Sequence, residues 1–302
     1  MSATTLAAPR PVPLFVIARR SAADIPPKLR AGTRGSPLAQ AQTRAVVARL
    51  RQADPDLIFG TEIIRTTGDA VQDCRLADIG GKGLFAKEIH QALLDGQIDF
   101  AVHSLKDLET ELPAGIALAC VLPREDPRDV LLLAADIPVP EGPDPFATLP
   151  PCALIGSCSV RRQAQLLAVR PDLQVAVIRG NVETRLAKLG GGSFAATFLA
   201  LAGLRRLNRK PAASVILEPE MMLPAAGQGI VGVTVRADDT RCVTFSAGPR
   251  IFSRSWPRPR SAPCYGRSTA PARRRSARSR DCCPAEISVS PRSSPARTGR
   301  LS

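Results

Sequence analysis

Between residues 28 and 240 the chain alternates two rhythms: short continuous apolar runs, and stretches in which apolar residues return every three or four positions. The first kind reads as buried strands and the second as amphipathic helices. A strand over 29–33 leads into Ser36-Pro37, a helix N-cap followed by proline at the first helical position. That helix runs to about Gln52, where Asp54-Pro55 stops it, and a strand follows over 57–64. After a polar loop from Thr66 to Gly83, Phe85, Ile89 and Leu93 recur every four residues on a second helix, closed by Gly96. A strand over 98–102 then ends in His103-Ser104-Leu105-Lys106-Asp107. The Pro-rich stretch 138–151 reads as a loop inside a second lobe. Beyond it come a strand over 153–156, a helix from Ser159, a strand over 173–178, a helix from Asn181, and strands over 194–201 and 231–236.

Alternation of this kind predicts an α/β fold with mostly parallel sheets and helices on both faces. About two hundred residues suffice for two compact lobes. The halves echo each other weakly: Gly32-Thr33, Ser36 and Gln40-Ala41-Gln42 resemble Gly156-Ser157, Ser159 and Gln163-Ala164-Gln165.

Composition breaks near residue 240. Residues 241–302 hold fourteen Arg and no Lys against Asp281 and Glu286, so +12 of the net +14 sits there and the first 240 residues carry +2. This tail also holds Trp256, Tyr265 and four of the eight Cys, and shows neither helical nor strand periodicity. One reading is a basic arm for nucleic acid or acidic membrane. The favoured one is sequence without selected structure, such as a shifted frame in GC-rich DNA. Residues 1–27, rich in Pro and Ala, read as a disordered extension, an early start or a transit peptide; the apolar run 14–17 is too short for a signal-peptide core. No run reaches the eighteen apolar residues of a membrane span. Cys74, Cys120, Cys152 and Cys158 lack metal-type spacing, and only two His are present. This argues against a zinc site or a disulfide framework and fits a reducing cytoplasm.

The candidate chemistry gathers at strand ends, where open α/β sheets bind ligands. Ser104, Lys106 and Asp107 follow one strand, Arg34 and Ser36 another, and Ser159, Arg161 and Arg162 open a helix. Arg179 ends a strand before the Asn181 cap, and Arg185 lies one turn into the helix that follows. Arginines beside free helix N–H groups make a carboxylate receptor, although they could equally sit in solvent. One acid among many cations suits a polycarboxylate substrate, with Asp107 reserved for a cationic intermediate and for proton transfer at a nitrogen heterocycle. A plain Asp107–Lys106 ion pair is the dull alternative. Gly80-Gly81-Lys82-Gly83 lacks the Lys-Ser/Thr of a phosphate loop and reads as a lid bearing one lysine. His103, without a nucleophile or metal partner beside it, reads as structural.

Together these segments resemble the porphobilinogen deaminase (hydroxymethylbilane synthase) family. The resemblance rests on GTRGSPLAQ at 32–40, RTTGD at 65–69, IGGKGLFAKE at 79–88, AVHSLKDL at 101–108 and PREDPRD at 123–129. It continues through GSCSVRRQAQL at 156–166, RGNVETRL at 179–186, LALAGLRRL at 199–207 and LPAAGQGIVGV at 223–233. It implies a transferase of haem biosynthesis that condenses four porphobilinogen units stepwise into a linear tetrapyrrole, releasing ammonia each time. It also implies a dipyrromethane primer held by thioether to a cysteine. Asp107 would be the catalytic carboxylate. Arg34, Ser36, Ser104, Lys106, Ser159, Arg161, Arg162, Arg179, Arg185, Arg206 and Gln228 would hold acetate and propionate groups, and Lys82 would lie on a mobile loop. The partners implied are porphobilinogen and the growing oligopyrrole, with no metal, nucleic acid or membrane, for a cytoplasmic monomer.

In fold the resemblance implies two lobes like those of type II periplasmic binding proteins, hinged near 123–128 and 224–230, with a small third α+β domain. The lobes would be 28–123 plus 230–239, and 124–229, flanked by 1–27 and the tail 240–302. The third domain's pattern does not appear after Asp239. Cys242, Cys264, Cys282 and Cys283 lie in no matching context, so no attachment cysteine is identified and an impaired enzyme is expected. Glu109, Ala195 and Asp78 also depart from the family's usual residues. The remaining alternatives are a non-catalytic two-lobed polycarboxylate binder and a nucleic-acid binder acting through the tail.

Overall fold

In the computed structural model, which describes residues 28–70 and 83–239, the chain builds two five-stranded sheets. The N-terminal extension, Lys82, Asp78 and the arginine-rich tail lie outside the described residues. The first pass of the chain gives β1 (Leu29–Thr33), α1 (Pro37–Ala53), β2 (Phe59–Ile63), the single turn α2 (Thr67–Ala70), α3 (Lys87–Leu94) and β3 (Phe100–Ser104). A 3₁₀ turn (Leu105–Asp107) and β4 (Ile116–Val121) complete this pass. The chain crosses over 122–128 into β5 (Asp129–Leu133), β6 (Leu154–Gly156), α4 (Val160–Val169), β7 (Gln174–Ala176), α5 (Val182–Gly190), β8 (Ala196–Ala200), α6 (Leu201–Arg206) and β9 (Ser214–Leu217). It returns over 218–230 to β10 (Val231–Arg236).

The first sheet has the order β2-β1-β3-β10-β4 and the second β7-β6-β8-β5-β9. β1 is parallel to β2 and β3, and β6 to β7 and β8. β10 is antiparallel to both its neighbours, and so is β5. In each sheet four strands therefore share one direction, as the alternation predicts, and the strand that has just crossed over is reversed, which makes the sheet mixed. This is the two-lobed, twice-crossed arrangement the resemblance implies.

Local chemistry explains the helix starts. Ser36 Oγ accepts from Ala39 N at 3.2 Å, Ser159 Oγ from Arg162 N at 3.4 Å, and Asn181 Oδ1 from Thr184 N at 2.9 Å. Each cap satisfies a donor that the first helical turn leaves free. α3 closes before Gly96, whose φ of +68° favours glycine. In the first lobe Val46, Leu50, Phe100, Val102, Val231 and Val233 pack together, with Ile89, Leu93 and Ile98 nearby. In the second, Leu131, Leu132, Ile155, Leu166, Phe198 and Met222 form the core. Each such side chain contributes about 1.5–3 kcal/mol on burial. The two crossings are stitched together: Leu122 N donates to Val231 O at 2.9 Å and Glu125 N to Gly229 O at 3.0 Å.

Candidate functional site

The first half of the site lies beyond the carboxyl ends of the adjacent parallel strands β1 and β3. A cavity there is lined by Arg34, Ser36, Gln42, Phe85, Ser104, Lys106 and Asp107, among others, and Asp107 is the one acid in its wall. The Arg34 guanidinium stacks 4.1 Å from the centre of the Phe85 ring and hydrogen-bonds both carboxylate oxygens of Asp69, its Nε at 3.1 Å. Burial works against ionising Asp69, but bonds from Arg34 and from Thr66 Oγ1, at 2.8 Å, hold its carboxyl below the ordinary value. Gln42 Nε2 donates to Ser104 Oγ at 3.0 Å, fixing that hydroxyl against α1.

The second half is its counterpart across the crossings. Ser159 caps α4 and places Arg161 and Arg162 in the first turn. Neither guanidinium sits in solvent alone. Arg161 Nη2 and Arg162 Nη2 each reach Asp129 at 2.7 Å, and Arg162 Nη1 donates to Phe198 O at 2.9 Å. Arg161 also donates to Leu223 O. The Asp129 side chain is fully buried, a condition that raises a carboxyl pKa, yet the two arginines hold it below the ordinary value. Arg162 Nε is buried with no hydrogen-bond partner. Arg185 donates to Gly180 O at 3.0 Å and approaches Cys158 Sγ at 3.7 Å, and burial lowers its pKa.

Gln228, 1% exposed on the returning crossing, joins the halves. Its Nε2 donates to Asp129 Oδ1 at 2.9 Å and to Pro127 O at 2.7 Å, while its Oε1 accepts from Lys106 Nζ at 3.1 Å. Lys106 remains open to solvent along the cleft but has protein around most of its ammonium. Desolvation therefore lowers its pKa, against the pull of Asp107. Arg206 Nη2 donates to Gly229 O at 2.7 Å, and Arg179 Nη2 to Gly68 O at 3.1 Å on α2 of the other lobe.

Of the candidates, Arg34, Ser36, Ser104, Lys106 and Asp107 line the cavity beyond β1 and β3, Arg161, Arg162 and Gln228 meet at Asp129, and Lys106 bonds to Gln228 and not to Asp107. His103 is buried and hydrogen-bonded to Thr234 Oγ1 at 2.9 Å. Burial, aided by His90 and Arg34, pulls its pKa down to about 3, which suits a neutral structural imidazole. Asp129, Asp69 and Gln42 are not among the candidates that the sequence offers for the site, and Phe85, expected on the second helix, precedes α3 and lines the cavity against Arg34. Asp129 closes the PREDPRD segment at 123–129 and opens an apolar run, and neither signal says which side chains it pairs with. Among the described residues no cluster of His, Cys, Asp or Glu could hold a metal ion, and no helix is long and apolar enough to cross a membrane. Among the described residues Cys120 and Cys158 are free thiols.

A family profile described as "Porphobilinogen deaminase, dipyromethane cofactor binding domain" matches residues 29–244. A porphobilinogen deaminase of Syntrophomonas wolfei is 50% identical over 211 residues, 70% of this chain and 67% of its own length. The chloroplastic enzyme of Oryza sativa is 46% identical over 254 residues, covering 81% and 68%. That of Nitrobacter hamburgensis is 51% identical over 217 residues, covering 71% and 66%. The chain therefore spans about two thirds of the length of these relatives. Among solved structures, the probable amino-acid transporter binding protein ytmK of Bacillus subtilis matches with TM-score 0.44 at 9% identity, covering 70% of this chain and 85% of its own. The periplasmic VFT2 domain of Bordetella pertussis BvgS matches with TM-score 0.41 at 14% identity, covering 74% and 86%.

Proposed function

The chain belongs to the porphobilinogen deaminase family, matched through the domain that binds the dipyrromethane cofactor, and from that premise we propose that its cleft condenses porphobilinogen units stepwise into a linear tetrapyrrole with release of ammonia. The observation that carries this reading is the placement of Asp107, a lone carboxylate in a wall otherwise bearing Arg34, Lys106 and the hydroxyls of Ser36 and Ser104. Guanidinium groups and N-cap hydroxyls suit the acetate and propionate side chains of the substrate. Loss of ammonia leaves positive charge on a pyrrole, and a preorganised carboxylate is the group that stabilises it and handles the ring N–H proton. Lys106, held by Gln228 and partly desolvated, is placed to bind a substrate carboxylate without neutralising Asp107.

The described residues fit the dipyrromethane group. Arg162 Nε is a buried donor lacking an acceptor, and the hydrogen bonds of Arg185 go to one carbonyl and one thiol. Carboxylates on the cofactor would satisfy both, with Arg179 and Ser159 beside them. When bound, the cofactor supplies the pyrrole to which incoming units are joined. The proposal has the enzyme act as a cytoplasmic monomer on a dissolved dicarboxylate, without nucleic acid or membrane, and the +2 balance of the first 240 residues supports that part.

Asp107→Asn, made in a version of the chain with a restored, cysteine-bearing C-terminus, tests the assignment. A carboxylate about 4 Å from a developing cation is worth up to ~4 kcal/mol at an effective dielectric of about 20, or roughly a thousandfold in rate. Porphobilinogen consumption should fall by about that factor while calorimetric substrate affinity stays within a few-fold. Near-normal turnover in this variant would remove Asp107 from the chemistry.

A further inference from the structure

Asp129 opens β5 with a side chain that is 0% exposed, where an unpaired carboxylate would cost several kcal/mol. It accepts three hydrogen bonds, from Arg161 and Arg162 on α4 and from Gln228 on the returning crossing. Consecutive residues on a helix point about 100° apart. Arg161 and Arg162 nevertheless converge on the two oxygens of one carboxylate, so the acid imposes an arrangement that the helix alone would not give. Two guanidiniums against one carboxylate leave a net +1, so the cluster keeps its attraction for an anion. Gln228 extends the chain of contacts to Lys106 Nζ, one residue from Asp107.

We propose that Asp129 is a positioning residue for carboxylate recognition: it locks Arg161 and Arg162 into one arrangement and, through Gln228, ties that arrangement to Lys106 beside Asp107. This rests on the reading of the cleft as a porphobilinogen site. Asp129 touches no substrate in this scheme and acts through the arginines and the glutamine. Because the carboxylate sits where the chain crosses between sheets, it also links the second lobe's anion receptor to the first lobe's catalytic turn.

The test is a double-mutant cycle on porphobilinogen affinity, measured by calorimetry on the full chain. Asp129→Asn, close in volume and without charge, is expected to weaken binding by about tenfold to a hundredfold, the scale of a hydrogen bond to a charged group. In an Arg161→Gln, Arg162→Gln, Gln228→Leu background the same replacement should change affinity by less than about twofold, because its intermediaries are gone. An undiminished effect in that background, or none in the native one, overturns the proposal and leaves the porphobilinogen reading standing. Should Asp129→Asn fail to fold, Gln228→Leu decides, since it leaves the carboxylate and both arginines in place. Its loss of affinity and that of Lys106→Met should combine to less than their sum, because part of the first acts through the lysine that the second removes, and fully additive losses would overturn the link. A native chain that binds no porphobilinogen would refute the functional reading itself, visibly and before any variant is made.

Discussion

Gly229→Ala should cost the fold more than any contact list for a glycine would suggest. Gly229 sits on the returning crossing with φ +87°, a conformation that costs an L-residue with a side chain about 1–2 kcal/mol. A Cβ there would lie 2.3 Å from Glu125 O, a backbone atom of the other crossing, well inside any tolerated approach. The two strands must then part by roughly 1 Å to restore an ordinary carbon–oxygen contact. That movement stretches Glu125 N→Gly229 O at 3.0 Å and Arg206 Nη2→Gly229 O at 2.7 Å, each worth about 1 kcal/mol net. The total is about 3–4 kcal/mol, which for a body of this size lowers the melting temperature by about 6–15 °C. Thermal unfolding followed by circular dichroism measures it. Gly142→Ala, where a Cβ meets nothing within 4 Å, is the control and should melt within about 2 °C of the native chain. A Gly229→Ala protein that melts with the control would show that the crossings are not coupled as described.

His103 gives a pH-dependent expectation. Its folded pKa, about 3, lies below the value near 6.5 of an unfolded histidine, so the unfolded chain binds the extra proton between those limits. Stability is fully present above about pH 6.5 and falls on acidification through that window by about 1.4 kcal/mol per pH unit. Denaturant unfolding at pH 7 and pH 5 should therefore differ by about 2 kcal/mol, and an equal difference in His103→Gln would refute this origin. In the second lobe, Phe198→Ala empties a fully buried core position on β8 and should cost about 3–5 kcal/mol by the same denaturation assay; a loss below about 1 kcal/mol would contradict the packing described.

What the chain disclosed in advance followed local chemistry. Ser36, Ser159 and Asn181 announce helix starts because the cap acts on amides two or three residues away. The turn after β3 was visible because an apolar run ended on three polar side chains of distinct chemistry. β4, β5 and β9 were not named from sequence. In β5, Asp-Val-Leu-Leu-Leu is buried on both faces and so carries no alternation to distinguish it from a helix segment. α2 and α6, only 4 and 6 residues long, are too short for a helical period to show. The pairing of Arg161 and Arg162 with Asp129 spans over thirty residues and joins a helix to a strand of another element pair, so no local pattern encodes it. The arginines could be recognised as a receptor, but the acid that arranges them could not.

The position of β10 bears on how the chain is made. It pairs Val231 with Ser104 and Val235 with Phe100, so the middle of the first sheet waits for a strand synthesised some 130 residues after its neighbour. The second sheet draws all its strands from 129–217, one uninterrupted stretch. On the ribosome the second sheet can thus close while β3 and β4 still expose edges to the space that β10 will fill. Long-range pairing of this kind is slow, and open edges invite wrong partners. Nascent chains stalled before residue 231 should therefore protect the second lobe from proteolysis and leave the first one cleavable, the reverse of the usual N-terminal-first order.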